Sequence, residues 1–112
     1  MENLYLKIIS IERVIFEEKV SEVSVPGELG PFTILPSHSP IISTLSEGYI
    51  SFAPLTQAEG ELANGLEMYT PDLEDAKSGV LQPRLRIKIK EGFIEMNEDI
   101  VTICITEENG DE

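Results

Sequence analysis

Val25-Pro26-Gly27-Glu28-Leu29-Gly30-Pro31-Phe32-Thr33-Ile34-Leu35-Pro36-Ser37-His38-Ser39-Pro40-Ile41-Ile42-Ser43-Thr44-Leu45 is the stretch on which the fold turns. Pro26-Gly27 and Gly30-Pro31 are two turn signals a few residues apart, since glycine permits positive φ and proline fixes φ. Between them and the next proline, Phe32 to Leu35 reads as a short apolar strand. Pro36 and Pro40 bracket Ser37, His38 and Ser39 in a stiff loop, and Ile41 to Leu45 reads as a second short strand. Two short apolar segments pinned between three turns suit an all-β fold.

The flanking sequence agrees. Leu4, Leu6 and Ile8 alternate with Tyr5, Lys7 and Ile9, the period of a strand. Ser10-Ile11-Glu12 is a connection. Val14 and Phe16 share a face with Val20, whereas Val23 and Val25 fall on the opposite phase. A shift of one residue reverses every side chain, so this run is two strands or one bulged strand. The charged Glu17-Glu18-Lys19 is where a turn or a crossing between sheets is expected. Glu47-Gly48 is a turn before a strand from Tyr49 to Phe52. Leu85, Ile87 and Ile89 alternate with Arg84, Arg86, Lys88 and Lys90, a half-buried strand with a basic outer face. Gly92 is expected to break it. Phe93 to Met96 and Ile100 to Thr106 then form a hairpin about Asn97-Glu98-Asp99. Many short strands with frequent turns predict a small antiparallel β-sandwich or flattened barrel.

The segment 53–83 breaks the pattern. It holds Pro54, Gly60, Gly65, Pro71, Gly79 and Pro83, with six carboxylates against Lys77. It reads as one long acidic inserted loop, with Leu66 to Tyr69 as a short strand and Pro71 to Ala76 as a helical turn. Residues 107–112 read as a frayed acidic tail.

A chain of 112 residues is one domain, residues 1–112. The net charge of −13 excludes non-specific nucleic-acid binding, which needs a basic face, and leaves a basic protein partner open. No apolar run approaches the roughly 20 residues of a membrane span. The N-terminus has no basic region ahead of an apolar stretch, so no signal peptide is expected. Cys104 is the single cysteine, which rules out an internal disulfide, and its alternating strand makes it a small buried or half-buried residue.

Chemistry finds little purchase. One histidine and one cysteine, far apart, do not make a metal site. There is no P-loop. Ser37-His38-Ser39 has no orienting acid, and adjacent residues rarely reach the geometry of a nucleophile and its base. Glu17-Glu18 and Glu107-Glu108 look like exposed strand ends rather than an acid/base pair. An enzyme reading therefore has no support, and no cofactor is expected.

The pattern resembles the epsilon subunit of F-type ATP synthases, in its N-terminal β-sandwich domain. Leu6-Lys7-Ile8-Ile9-Ser10 followed by Glu12-Arg13-Val14-Ile15-Phe16 resembles the opening strand pair of that family, and Val23 to Gly30 its first glycine-rich turn. Ile34 to Leu45 resembles its Leu-Pro-Gly-His-Ala-Pro-Leu-Leu signature, with Ser37 and Thr33 where the family usually has glycine. Gly92 to Met96 with Val101-Thr102-Ile103 resembles its closing hairpin. In the family an acidic residue is common where Pro31 stands.

The resemblance implies a non-catalytic rotor subunit at the foot of the central stalk. It would help fix the gamma subunit to the c-ring, so that ion-driven rotation is coupled to ATP synthesis. It implies gamma contact by Ser10, Pro36, His38 and Pro40, and c-ring contact by Glu28, Leu29, Gly30 and Pro31. It places the chain peripherally, on the cytoplasmic side of a bacterial inner membrane, without insertion into the bilayer. The family's C-terminal helical hairpin is missing after Thr106, so neither nucleotide binding nor inhibition by that hairpin is expected. The alternative is a free-standing β-sandwich module that binds protein outside a rotary motor.

Overall fold

The structure is a computed structural model that describes residues 3–55, 65–70 and 83–107. The described residues form eight strands: β1 (Leu4–Ser10), β2 (Val14–Val25), β3 (Phe32–Ile34), β4 (Ile41–Leu45), β5 (Gly48–Pro54), β6 (Leu66–Tyr69), β7 (Arg84–Asn97) and β8 (Ile100–Glu107). No helix occurs among the described residues, and so none is long and apolar enough to cross a membrane.

The strand order β1-β8-β7-β5-β2 closes on itself through a further pairing of β1 with β2. The result is a flattened barrel. β3 extends it from β2, and β4 and β6 extend it from β7. Two long strands serve both sides. β2 pairs with β1 through Val14–Val20 and then with β5 and β3 through Val20–Val25. β7 pairs with β5 and β6 through Arg84–Ile89 and then with β4 through Gly92–Met96. One half-sheet is thus β4-β7-β8-β1-β2, and the other is built on β6-β7-β5-β2-β3.

The sandwich or flattened barrel expected from the turns is present, with departures of detail. One pair, β1 with β8, is parallel. The chain does not turn or cross at Glu17-Glu18-Lys19; β2 runs through them, and the crossing falls at a register shift between Val20 and Val23. That bulge lets Val20, Val23 and Val25 all be buried. A second shift, opposite Ile8/Ile9, buries Ile15 and turns Val14 outward, against the expected shared face of Val14, Phe16 and Val20. Phe16 keeps the inner side and packs on Phe52 with ring centroids 4.5 Å apart.

Gly92 does not end a strand. β7 is continuous through it, bulged between Ile89 and Glu91 against β8. A Cβ at Gly92 would collide with the Cys104 carbonyl oxygen and lie 3.2 Å from Ile105 Cα. The glycine therefore serves close backbone approach where β7 passes from one half-sheet to the other. Glu107 belongs to β8, opposite Ile89, rather than to a tail; residues 108–112 lie outside the described residues.

Of segment 53–83, Ala53 and Pro54 finish β5. Leu66–Tyr69 forms β6, as the sequence suggests, against β7. The expected helical turn at Pro71–Ala76 lies outside the described residues.

The core is aliphatic apart from Phe52, its largest fully buried side chain, and Met96, and no described polar or charged residue is buried. Leu4, Leu6 and Ile8 of β1, Leu85, Ile87 and Ile89 of β7, and Val101, Ile103 and Ile105 of β8 supply alternate positions, as strand period requires.

Candidate functional site: an apolar row and two loop ends

Partner residues across a ladder point to the same side of a sheet. In the β4-β7-β8-β1-β2 half-sheet the inward set is Leu45, Ile94, Met96, Val101, Ile103, Ile105, Leu6 and Ile8. The opposite phase faces outward. One register line on that outer face runs Thr44, Phe93, Cys104, Ile9 and Val14. Phe93 is 47% exposed and Val14 52%, with Ile9 and Cys104 half-buried between them. This is a nearly unbroken apolar row, five strands wide, on the surface of a chain of net charge −13. The next line, Ile42, Glu95, Thr102, Lys7 and Glu17, is polar apart from Ile42.

Sequence alternation alone does not reveal the row. Ile9 is the polar-phase residue of an apolar run, and Val14 reaches the outer face only through the bulge. The available signal is that Ile9, Phe93 and Cys104 are apolar at positions where a solvent face would carry polar side chains.

Two loops lie at one end of this half-sheet. Gly27 bridges Leu45, and the line Leu45, Gly92, Ile105, Ser10 crosses to the far strand. Ser10, the last residue of β1, donates its N–H to the Arg13 carbonyl at 2.9 Å, and its Oγ accepts the Glu12 N–H at 3.4 Å. This closes a tight connection whose Ile11 is 99% exposed.

At the other corner the Gly30 N–H donates to Gly27 O at 3.0 Å, closing the turn Gly27-Glu28-Leu29-Gly30. Gly30 takes φ +136°. Gly27 has no room for a Cβ, which would lie 2.6 Å from Gly30 O and 2.7 Å from the Phe32 ring. Glu28 is tied down twice: its N–H donates to Thr44 O at 3.1 Å, and its carboxylate accepts the Thr44 hydroxyl. Ser46 N–H donates to Pro26 O at 2.8 Å. Leu29 projects from this clamped turn fully exposed, with Pro31 exposed beside it.

Pro36, His38 and Pro40 lie at the opposite end. His38 N–H donates to Leu35 O at 3.2 Å across Pro36-Ser37, and Ser37 takes φ +69°, the positive φ that a type II turn demands at its third residue. The Ser37 N–H donates to Asp99 Oδ1 at 2.7 Å, joining the loop to the β7–β8 turn. His38 is exposed, and its Nδ1 donates to the Ser39 carbonyl at 2.8 Å. Ser10 and Glu28 to Pro31 are thus brought to one end of the half-sheet, and Pro36 to Pro40 stands one β4 length away.

The basic outer face of β7 is on the other half-sheet, and the fold covers much of its charge. Arg84 pairs with Glu22 at 3.3 Å and Arg86 with Glu67 at 2.7 Å. The Arg86 guanidinium lies over the Tyr49 and Tyr69 rings at 4.4 and 4.9 Å. Its pKa is raised, first by the Glu67 hydrogen bond. No group of three potential metal ligands occurs among the described residues.

Comparison with known proteins gives a consistent set. The sequence profile of the ATP synthase delta/epsilon chain β-sandwich domain matches residues 3–63. Over 63 residues the chain is 38% identical to the ATP synthase epsilon chain of Campylobacter hominis, covering 56% of this chain and 48% of that protein. Over 50 residues it is 42% identical to that of Campylobacter concisus, covering 45% and 39%. In these alignments the chain spans less than half the length of each relative. Two solved assemblies contain chains of similar fold. The match in the Euglena gracilis mitochondrial ATP synthase (OSCP/F1/c-ring) has a TM-score of 0.66 at 16% identity, covering 96% of this chain and 52% of that one. The match in the Tetrahymena thermophila mitochondrial ATP synthase (central stalk/c-ring) has 0.63 at 6%, covering 93% and 63%.

Proposed function

This chain belongs to the ATP synthase delta/epsilon-chain β-sandwich family, and from that premise we propose that it is a non-catalytic subunit of the central stalk. In this reading it fixes the gamma subunit to the c-ring, so that ion-driven rotation reaches the catalytic head. The observation that carries the reading is the outward row Thr44, Phe93, Cys104, Ile9 and Val14. A wet sheet face has no use for it, whereas a partner face does.

Gamma covers the row and extends to Ser10 at one end and to Pro36, His38 and Pro40 at the other. The clamped turn Glu28, Leu29, Gly30 and Pro31 meets the c-ring. Leu29 is its contact point, because the Glu28 carboxylate is already engaged by Thr44. Transmission of torque requires a body that does not shear. The closed ladder provides one, because no strand of the ring β1-β8-β7-β5-β2 can slide without breaking pairings on both edges. The subunit supplies contacts rather than reacting groups, and it sits peripherally on the cytoplasmic side of a bacterial inner membrane.

The test is calorimetric titration into the gamma subunit of the same organism at two salt concentrations. Nanomolar binding supports the reading, and its salt dependence measures the part played by the −13 charge. Failure to bind at tens of micromolar removes the function and leaves a free-standing protein-binding module.

A further inference from the structure

The shape and chemistry of the apolar row specify more than that a partner covers it. We propose that the element of gamma seated on the row is a single amphipathic helix lying across the strands, apolar side down, with basic residues along both flanks and Ile11 as the anchor at one end. This inference rests on the central-stalk reading above.

Three observations carry it. First, the row runs perpendicular to the strands. Five strands at about 4.8 Å spacing make it about 19 Å long, which a helix of about 13 residues spans at 1.5 Å per residue. The helical pitch of about 5.4 Å nearly matches the strand spacing, so one apolar side chain per turn settles over each strand in succession. A partner strand has no such option, because it would pair along an edge rather than lie across a face.

Second, charge frames the row. Glu95 and Glu17 lie on the register line to one side, against Lys7 alone, and Glu17 already accepts the Tyr5 hydroxyl. Glu91 and Glu12, both exposed, lie on the other side, toward the end that carries Ser10. A helix with Lys or Arg flanking its apolar stripe complements both margins.

Third, an exposed apolar side chain stands at the end of the row on a closed connection. Ile11 is 99% exposed, yet it sits in a connection closed by the Ser10–Arg13 hydrogen bond, two residues from Ile9 and three from Val14. A fully exposed isoleucine on a backbone already closed by a hydrogen bond, at the margin of an apolar row, is suited to cover the end of a helix without ordering a free loop.

The experiment is hydrogen exchange of the gamma subunit with and without this full chain, together with titration of the Ile11→Ser and Glu91→Lys/Glu95→Lys variants. We expect new protection in one contiguous helical segment of roughly 12 to 16 residues. We also expect about tenfold weaker binding for Ile11→Ser, and weaker binding with a shallower salt dependence for the double charge reversal. All these side chains are exposed, so melting temperatures should not change. Protection spread over separate segments, or Ile11→Ser binding as tightly as the parent, overturns the helix while leaving the stalk function standing. Absence of any binding by the parent chain overturns both.

Discussion

The backbone N–H of Ser37 donates to the carboxylate of Asp99 at 2.7 Å, across 62 residues of sequence. Asp99 also accepts the Tyr5 N–H on its carbonyl oxygen at 2.9 Å. One residue of the β7–β8 turn thereby ties the Pro36–Pro40 loop and the start of β1 to the closing hairpin. Asp99→Ala should cost about 1 kcal/mol, the net worth of a partly exposed hydrogen bond. Asp99→Asn, which keeps an acceptor and tolerates the positive φ of 66° at this position, should cost less. Urea unfolding with an unchanged m-value checks both; equal losses for the two variants would show that the bond is not the cause.

Ser37 carries a conformation that suits glycine. At φ +69° an L-residue is strained by roughly 1–2 kcal/mol, while glycine loses about 0.5–1 kcal/mol of chain entropy on folding. Ser37→Gly should therefore be neutral or stabilising by up to about 1.5 kcal/mol. Ser37→Val, with a branched β-carbon, should be destabilising. Reversal of that order in thermal melts would contradict the turn geometry.

At Gly92 the clash is with backbone, which cannot step aside. Gly92→Ala drives a methyl into the Cys104 carbonyl and toward Ile105 Cα at 3.2 Å. The expected loss is ~1–3 kcal/mol, as for overpacking, or roughly 5–15 °C in melting temperature for a domain of this size. A melt within a degree or two of the parent would mean that β7 and β8 can separate freely at this point.

The Tyr5 hydroxyl donates to Glu17 Oε2 at 2.6 Å, and that bond, before desolvation and the charges of Glu17 and Glu18, holds its pKa above 10. The folded state therefore keeps this proton longer than the unfolded chain does. The stabilising contribution is complete below pH 10 and is lost as pH rises through the folded pKa. Glu17→Gln should move the ionisation back down, and Tyr5→Phe should delete it, both read as tyrosinate absorbance. An unmoved titration in Glu17→Gln would exclude the bond as the cause.

The legible part of this fold is its punctuation and its alternation. The chain turns where the Pro and Gly signals and Asn97 to Asp99 lie, at Pro36-Ser37, at Glu98-Asp99 and at Gly27 to Gly30, where the two turns expected at Pro26-Gly27 and Gly30-Pro31 are one; Leu85, Ile87 and Ile89 are core. What escapes a reading by period is whatever depends on a partner strand. The bulge that buries Ile15 and exposes Val14 exists only in the ladder with β1. Gly92 resembles a strand terminator until the Cys104 carbonyl is seen against it. The apolar row is hidden for the same reason: its five residues come from five strands and share no local signature. The Ser37–Asp99 bond likewise joins two turns that are each legible alone, but whose meeting is set by the barrel.

Cys104, the single cysteine, offers a direct reading of which face is covered. It lies in the middle of the row, half-buried between Phe93 and Ile9, on β8. In the free chain its thiol should react with a small maleimide at a measurable rate. A partner seated on the row would exclude the reagent along with water. Addition of gamma at saturating concentration should therefore slow alkylation at least about tenfold, since reaction would then require the fraction of time the interface is open. The Phe93→Asp variant removes an apolar contact one strand away and places a carboxylate where a desolvated surface is required, so it should abolish both binding and protection. Protection of Cys104 that survives Phe93→Asp would place the covered surface elsewhere on this half-sheet. An unchanged rate in a complex formed by the parent chain would move the interface off the row altogether.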